Sequence, residues 1–251
     1  MARIVSVHSF RGGTGKSNIT ANVAFLLALS GRSVGVIDTD IQSPGIHILF
    51  GLEGSEITCS LNDYLWHGRD ITETALDVTP SLTADMGGRL FLIPSSTEPG
   101  QISRVLREGY DAERLTRGLR ELVDRLNLDS LLIDTHPGLN EETLLSLIIS
   151  NMLVIIMRPD KQDYEGTDIT MRVARQLEVP ISTIVINKAP TNLEPEAIAI
   201  KVKQIYDCEV IAVLPHSEEM LNLGSDGLFS VHFPEHQLTS LFKQIAQELD
   251  G

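Results

Sequence analysis

Seven consecutive residues, Arg11-Gly12-Gly13-Thr14-Gly15-Lys16-Ser17, have the composition of a phosphate cradle. Glycines at 12, 13 and 15 let backbone N–H groups turn toward an anion with no Cβ in the way. The lysine reaches β- and γ-phosphates, and the serine hydroxyl suits a magnesium ion. The second chemical set is carboxylate. Asp134 follows the apolar run Leu131-Leu132-Ile133 and precedes Thr135-His136-Pro137-Gly138. Asp38 and Asp40 close another apolar run, and on extended backbone such alternate residues point to one side. Either could brace Lys16 or the waters of a bound magnesium. This set suits phosphoryl transfer to water, a reaction that needs positioning and charge neutralisation above all.

Those groups work together only if the chain brings them to one edge. A β-branched run at 4–7 enters the glycine loop, and a helix is expected at 16–29, closed by Gly31. Further strands are expected at 33–37, 90–93, 130–133, 153–157, 181–186 and 210–214. Helices are expected at 114–126, where Leu115, Leu119, Leu122 and Leu126 share a face, and at 144–149, 168–177, 195–205 and 235–249. Several strands are continuous apolar runs, the pattern of parallel strands covered on both faces. The alternation implies an α/β fold: a doubly wound, mostly parallel β-sheet flanked by helices on both faces. In such a sheet a carboxylate at a strand's C-terminal end faces the ligand crevice. No composition break divides the chain, so 1–251 reads as one domain. The stretch 51–88 is irregular, either a surface excursion or a helical insertion.

The strict loop pattern G-x-x-x-x-G-K-[ST] is not met, because Phe10 stands at its first glycine. The variant [KR]-G-G-x-G-K-[ST] is met. With Asp38-Thr39-Asp40, the segment from Ile133 to Gly138, and Ile186-Asn187-Lys188, the chain resembles the MinD/ParA family of deviant Walker A ATPases, from Ile4 to about Ser217. The resemblance implies the P-loop NTPase fold and ATP with Mg2+ as ligands. It implies nucleotide contacts from Gly12, Gly13, Thr14, Gly15, Lys16, Ser17 and Asn18, and a metal region of Ser17, Asp38 and Asp134. Asp40 is then the residue that positions the attacking water. The family's first loop residue is a lysine that reaches the partner's phosphates across an ATP-bridged dimer. Here it is Arg11, which keeps the charge and adds a fork of donors. Catalytic roles thus fall on Asp40, Lys16 and Arg11.

The segment Ile186-Asn187-Lys188-Ala189-Pro190 begins like the guanine motif N-K-x-D, but Pro190 replaces the acid. No carboxylate there can read guanine, so ATP is favoured over GTP. The resemblance gives Asn187 an adenine contact and places the strand end Val213-Leu214-Pro215 near the base.

Partners are bounded by charge and by what is missing. A formal charge of −14 disfavours wholesale attraction to nucleic acid or anionic lipid. The arginines at 104, 107, 114, 117, 120 and 125 fall in two expected helices and alternate with acids, the pattern of a salt-bridged solvent face. A DNA-partitioning ParA-type role stays open without being favoured. Leu238, Leu241, Phe242, Ile245 and Leu249 form an apolar stripe near the C-terminus. Its polar side mixes Lys243 with Glu248 and Asp250, so packing on the sheet is expected rather than membrane binding. No run of about 18 apolar residues or signal-peptide pattern occurs, and Cys59 and Cys208 form no CxxC, so a reduced, cytoplasmic chain is expected. Iron–sulfur carriers of the family need paired cysteines, which this sequence does not offer. The function implied is an ATP-dependent dimerisation switch that positions or regulates a protein cargo or complex. Hydrolysis is slow, partner-stimulated, and resets it. The alternative outside that class is a metabolic ATP-dependent enzyme of the dethiobiotin synthetase type. His47, Trp66, His67 and His136 are the side chains available to such a second site.

Overall fold

Val, Ile and Leu dominate the strands, and burial on both faces is what those runs require. The computed structural model describes residues 2–83 and 86–251. In chain order the elements are β1 (Arg3–His8), α1 (Lys16–Leu29), β2 (Ser33–Asp38), α2 (Ile46–Leu49), α3 (Leu61–His67), β3 (Leu76–Asp77), α4 (Thr79–Leu82) and β4 (Arg89–Ile93). Next come α5 (Pro99–Glu108), α6 (Ala112–Arg125), β5 (Ser130–Asp134), α7 (Glu141–Ile149), β6 (Met152–Met157) and α8 (Lys161–Gln176). The remainder is β7 (Ile181–Ala189), α9 (Pro195–Tyr206), β8 (Glu209–Pro215), α10 (Glu218–Leu223), α11 (Phe229–His232) and α12 (Gln237–Asp250).

The strands form one eight-stranded sheet in the order β3-β4-β2-β5-β1-β6-β7-β8. All neighbours are parallel except the edge strand β3, antiparallel to β4. The chain winds one way from β1 to β2 and the other way from β5 to β6. The C-terminal ends of β1, β2 and β5 therefore meet at the reversal, where open α/β sheets bind ligands. Register sets the chemistry there: Val7 of β1 pairs with Asp134, and Asp38 of β2 pairs with Asp134 from the other side.

Alternate strand residues feed opposite faces. Leu132, Val154 and Ile156 pack with α1, α11 and α12. Leu131 and Ile133 pack with α3 and α6, and Leu153, Ile155 and Met157 with α7, α8 and α9. α1 is buried at every position from 19 to 28, between the sheet and α12. The C-terminal stripe behaves as expected: Leu238, Phe242, Ile245 and Leu249 are buried against β8 and α1. Among the described residues no helix is long and apolar enough to cross a membrane.

The stretch 51–88, open between a surface excursion and a helical insertion, carries helices. It contributes α3, α4, β3 and two 3-10 turns, and it buries Leu61, Tyr64, Leu65 and Ile71 against β4, β5 and α6; its positions 84 and 85 lie outside the described residues. α8 begins at Lys161, not 168. The Asp160 carboxylate caps it by accepting from the backbone N–H of Gln162 and Asp163. Its first turns are polar, so hydrophobic spacing could not reveal them.

Candidate active site

β1 ends at the buried His8 and delivers the glycine loop to the N-terminus of α1. Gly13 and Gly15 sit in the left-handed region, at φ 76° and 91°. Gly15 is further constrained by its neighbour: a Cβ there would lie 2.4 Å from Asn187 Nδ2. The end of β7 braces the loop, with Asn187 Nδ2 donating to the Thr14 carbonyl (2.7 Å) and Lys188 Nζ to that of Gly13 (2.9 Å). With these carbonyls committed to β7, loop N–H groups are left to an anion at the positive end of α1.

Phe10, which breaks the strict pattern, has a structural partner. Its ring lies on Gly166 of α8, where an added Cβ would fall 2.1 Å from Phe10 Cδ1. Arg11 follows it onto the same helix. Its Nε is 3.3 Å from Asp163 Oδ1, its Nη1 is 3.7 Å from Asp160 Oδ1, and it donates to Gln162 Oε1. Within one chain Arg11 therefore engages the first turn of α8, away from Lys16. Arg158 shares the buried Asp163 through its backbone N–H (2.8 Å) and Nε (3.2 Å).

Asp134 is the centre of the site. Lys16 Nζ donates to its Oδ1 (2.6 Å), the Ser17 hydroxyl to its Oδ2 (2.7 Å), and Thr20 Oγ1 to Oδ1 (3.3 Å). Lys16 and Asp134 are both buried, so this ion pair is poorly screened. Asp38, next in register, accepts from the N–H of Asp40 (3.0 Å) and of Gly45 (3.2 Å). Burial, then the charge of Asp134, pushes its carboxyl up to about 7 against the pull of Lys16. His8 is the buried histidine of the site. The Thr135 hydroxyl donates to the Val7 carbonyl (3.0 Å) and so accepts from His8 Nδ1–H (2.9 Å), leaving Nε2 buried and without a hydrogen-bond partner among the described residues. Burial, with Lys16 and His136 nearby, lowers His8 to about 3, so it is neutral.

Asp40 lies just beyond β2, and its Oδ1 accepts from His136 Nδ1 (2.6 Å) and from the Ser43 N–H (3.1 Å). The sequence offers His136 only to a separate small-molecule site; no local pattern links it to Asp40, 96 positions away. Gly12 and Pro137 approach each other, 3.9 Å from a Cβ built on Gly12 to Pro137 Cγ, so the loop touches the segment after β5.

Beside the loop opens a cavity of about 270 Å3 whose walls include Gly15, Asn18, Asn187 and Pro215. The far wall is α10 and its approach, with Ser217, Met220 and Leu221. The α10 residues were missed because a six-residue helix carries too little periodicity. Of the expected site residues, Lys16, Ser17, Asp38 and Asp134 converge. Asp40 joins them through β2, and Asn18, Asn187 and Pro215 line the adjacent cavity.

A glycine loop on a parallel sheet, with its lysine and serine held by an aspartate on the neighbouring strand, defines a P-loop NTPase. The chain belongs to the ParA family of these proteins: the family model described as NUBPL iron-transfer P-loop NTPase matches residues 1–250. It is 25% identical over 252 residues to an uncharacterized ATP-binding protein of Methanocaldococcus jannaschii, covering 100% of this chain and 89% of that one. It is 26% identical over 263 residues to the iron-sulfur cluster carrier protein of Aquifex aeolicus, covering 98% of this chain and 66% of the relative. The solved structure of the septum site-determining protein MinD complexed with Mg-ADP, from Pyrococcus horikoshii, has the same fold: TM-score 0.82, 21% identity, 100% and 96% of the two chains covered. The two cysteines of this chain do not form a pair like a cluster ligand set. Cys59 precedes α3 on the β4 side of the sheet, and Cys208 precedes β8 at the other edge. Among the described residues, no three His, Cys, Asp or Glu side chains group as a metal site.

Proposed function

We propose that the chain is a MinD/ParA-like ATPase that dimerises on ATP and positions or regulates a protein cargo or complex, with hydrolysis as the reset. The observation that carries this reading is the convergence of Lys16 and Ser17 on Asp134, with Asp40 at the end of the adjoining strand. The loop N–H groups and Lys16 hold the phosphates. The base enters the cavity walled by Asn18, Asn187 and Pro215.

Magnesium fits the donors present. Asp38 and Asp134 are two buried carboxylates in register, one of them pushed toward neutrality, and a hydroxyl lies beside them. Such a hard oxygen set suits an ion that keeps several waters and takes its remaining ligands from phosphate. Ser17 and Asp134 would hold it with support from Asp38, and when bound it supplies charge neutralisation at the phosphates. The residues do the rest. Asp40 orients water, whose oxygen bonds to the γ-phosphorus as the bond to the β–γ bridging oxygen breaks. One hydrogen stays on the released phosphate and the other leaves to solvent. Arg11 would leave the first turn of α8 to reach a partner's phosphates in the dimer.

The Mg-ADP ligand of the P. horikoshii protein supports the nucleotide and metal. The iron named in the family description does not suit the cysteines here, so anaerobic reconstitution with iron and sulfide should leave the chain without bound iron. The central test is molar mass by light scattering of wild type and Asp40→Ala, with ATP–Mg2+, with ADP and without nucleotide. The expected result is doubling with ATP alone, held longer by Asp40→Ala. A mass that never responds to bound ATP overturns the dimer switch and favours a metabolic enzyme. A shift only when duplex DNA is added favours partition.

A further inference from the structure

His136 lies two residues beyond β5, and Asp40 two residues beyond β2. Because β2 and β5 are neighbours in register, their C-terminal extensions leave the sheet side by side. Both residues are fixed by their backbones. The His136 carbonyl accepts from Thr143 Oγ1 (3.2 Å), and the same hydroxyl lies 3.1 Å from the Gly138 carbonyl. Gly138 N–H donates to the Ser9 carbonyl (3.1 Å), tying the segment to the foot of the loop. On the other strand, Asp40 N–H donates to Asp38 Oδ1 (3.0 Å).

The contact between them is short and partly dry. His136 Nδ1 is 2.6 Å from Asp40 Oδ1, with the side chains 26% and 14% exposed. Oδ1 also takes the Ser43 N–H. Its two donors therefore fall on one oxygen. Among the described residues no donor reaches Oδ2, so the carboxylate has one anchored oxygen and one acceptor to spare.

We propose that His136 is a positioning residue for hydrolysis: its Nδ1–H anchors Asp40 Oδ1 and so presents Oδ2 to the attacking water. This rests on the reading of Asp40 as the residue that orients that water. A carboxylate held only by Ser43 N–H would rotate about its terminal torsion, which is broad for aspartate. A second bond to the same oxygen restrains that rotation, and small misplacements at a reacting centre cost about a hundredfold in rate. His136 forms no hydrogen bond or ion pair with Lys16 or Ser17, so its effect should fall on the rate of hydrolysis and leave nucleotide affinity alone.

The test uses the full chain with ATP and Mg2+, measuring single-turnover hydrolysis and ATP affinity separately. His136→Ala should hydrolyse about tenfold to a hundredfold more slowly with an ATP Kd within about twofold of wild type. His136→Asn, whose amide N–H occupies the place of Nδ1, should recover most of the rate, and His136→Gln, which reaches toward the place of Nε2, should not. In an Asp40→Ala background, His136→Ala should have no further effect. Wild-type hydrolysis in His136→Ala beside a slow Asp40→Ala overturns the positioning role alone. Equal rates for the Asn and Gln variants also overturn it. Wild-type hydrolysis in Asp40→Ala overturns the assignment of Asp40, and the inference with it. Unchanged ATP affinity shows that each variant is folded.

Discussion

Asp38 and Asp134 are Cα partners on the parallel strands β2 and β5, so two carboxylates share one buried strand end. The pair makes the nucleotide-free protein sensitive to pH in a direction that can be worked out. Asp38 rises from an ordinary 3.8 to about 7 in the folded chain. Between those values the folded state holds more protons than the unfolded one, so this residue's contribution to stability is lost as pH rises. His8 acts the other way, because its fall from 6.5 to about 3 makes its contribution grow as pH rises across that interval. Asp38→Asn isolates the first effect. Relative to wild type, its stability in urea melts without nucleotide or magnesium should increase steadily from pH 4 to pH 7. A difference that does not change with pH would remove Asp38 as the group responsible.

Lys16→Ala should abolish ATP binding, measured by titration calorimetry, and also weaken the empty protein. Asp134 would be left buried without its cation, and breaking such a pair costs about 3–5 kcal/mol. Adding Asp134→Asn should restore part of the stability and none of the binding. ATP affinity unchanged in Lys16→Ala would refute the loop as the phosphate site.

Gly166→Ala should destabilise the chain by about 1–3 kcal/mol through overpacking against Phe10. Phe10→Ala alone should cost less than the about 3–5 kcal/mol of a fully buried phenylalanine, because Phe10 is half-buried. The double variant should be more stable than the sum of the two losses implies, a coupling visible in chemical denaturation. Additive losses would mean that the ring and the glycine do not meet.

Gly15→Ala meets two obstacles, a left-handed backbone and the amide of Asn187. The expected result is a loss of ATP affinity worth about 1–3 kcal/mol, from the backbone strain alone. Asn187→Ala in the same chain should relieve the collision, leave the strain and also remove Asn187 from the wall of the base cavity, so affinity should stay below wild type. Affinity fully restored by that second change would show that neither the backbone angle nor Asn187 matters for binding.

Much of this was open to reading from residues alone, and the reason is locality. Arg11 through Ser17 are contiguous, and their glycines, lysine and serine each carry a known job. The strand cores at 130–133 and 153–157 are continuous apolar runs, so both their type and their two-sided burial follow from composition. What escaped depends on distance or on polarity. The first turns of α8 present Lys161, Gln162 and Asp163, which show no apolar spacing, yet they hold Arg11. His136 becomes meaningful only once β2 and β5 are known to be neighbours. The stretch 51–88 hid α3 because its helical run is seven residues long.

α1 is enclosed along positions 19–28, and the glycine loop is its N-terminal extension. Amide deuteration reports such a difference directly, since a helix without a solvent face exchanges only when the whole domain opens. Its central amides should be among the last in the molecule to take up deuterium, with or without ATP. Nucleotide-dependent protection should fall on the glycine loop itself and on the ends of β2 and β5, near Asp40 and His136. The phosphate grip is thus mounted on the slowest clock in the protein, and the parts that sense its contents run on a faster one.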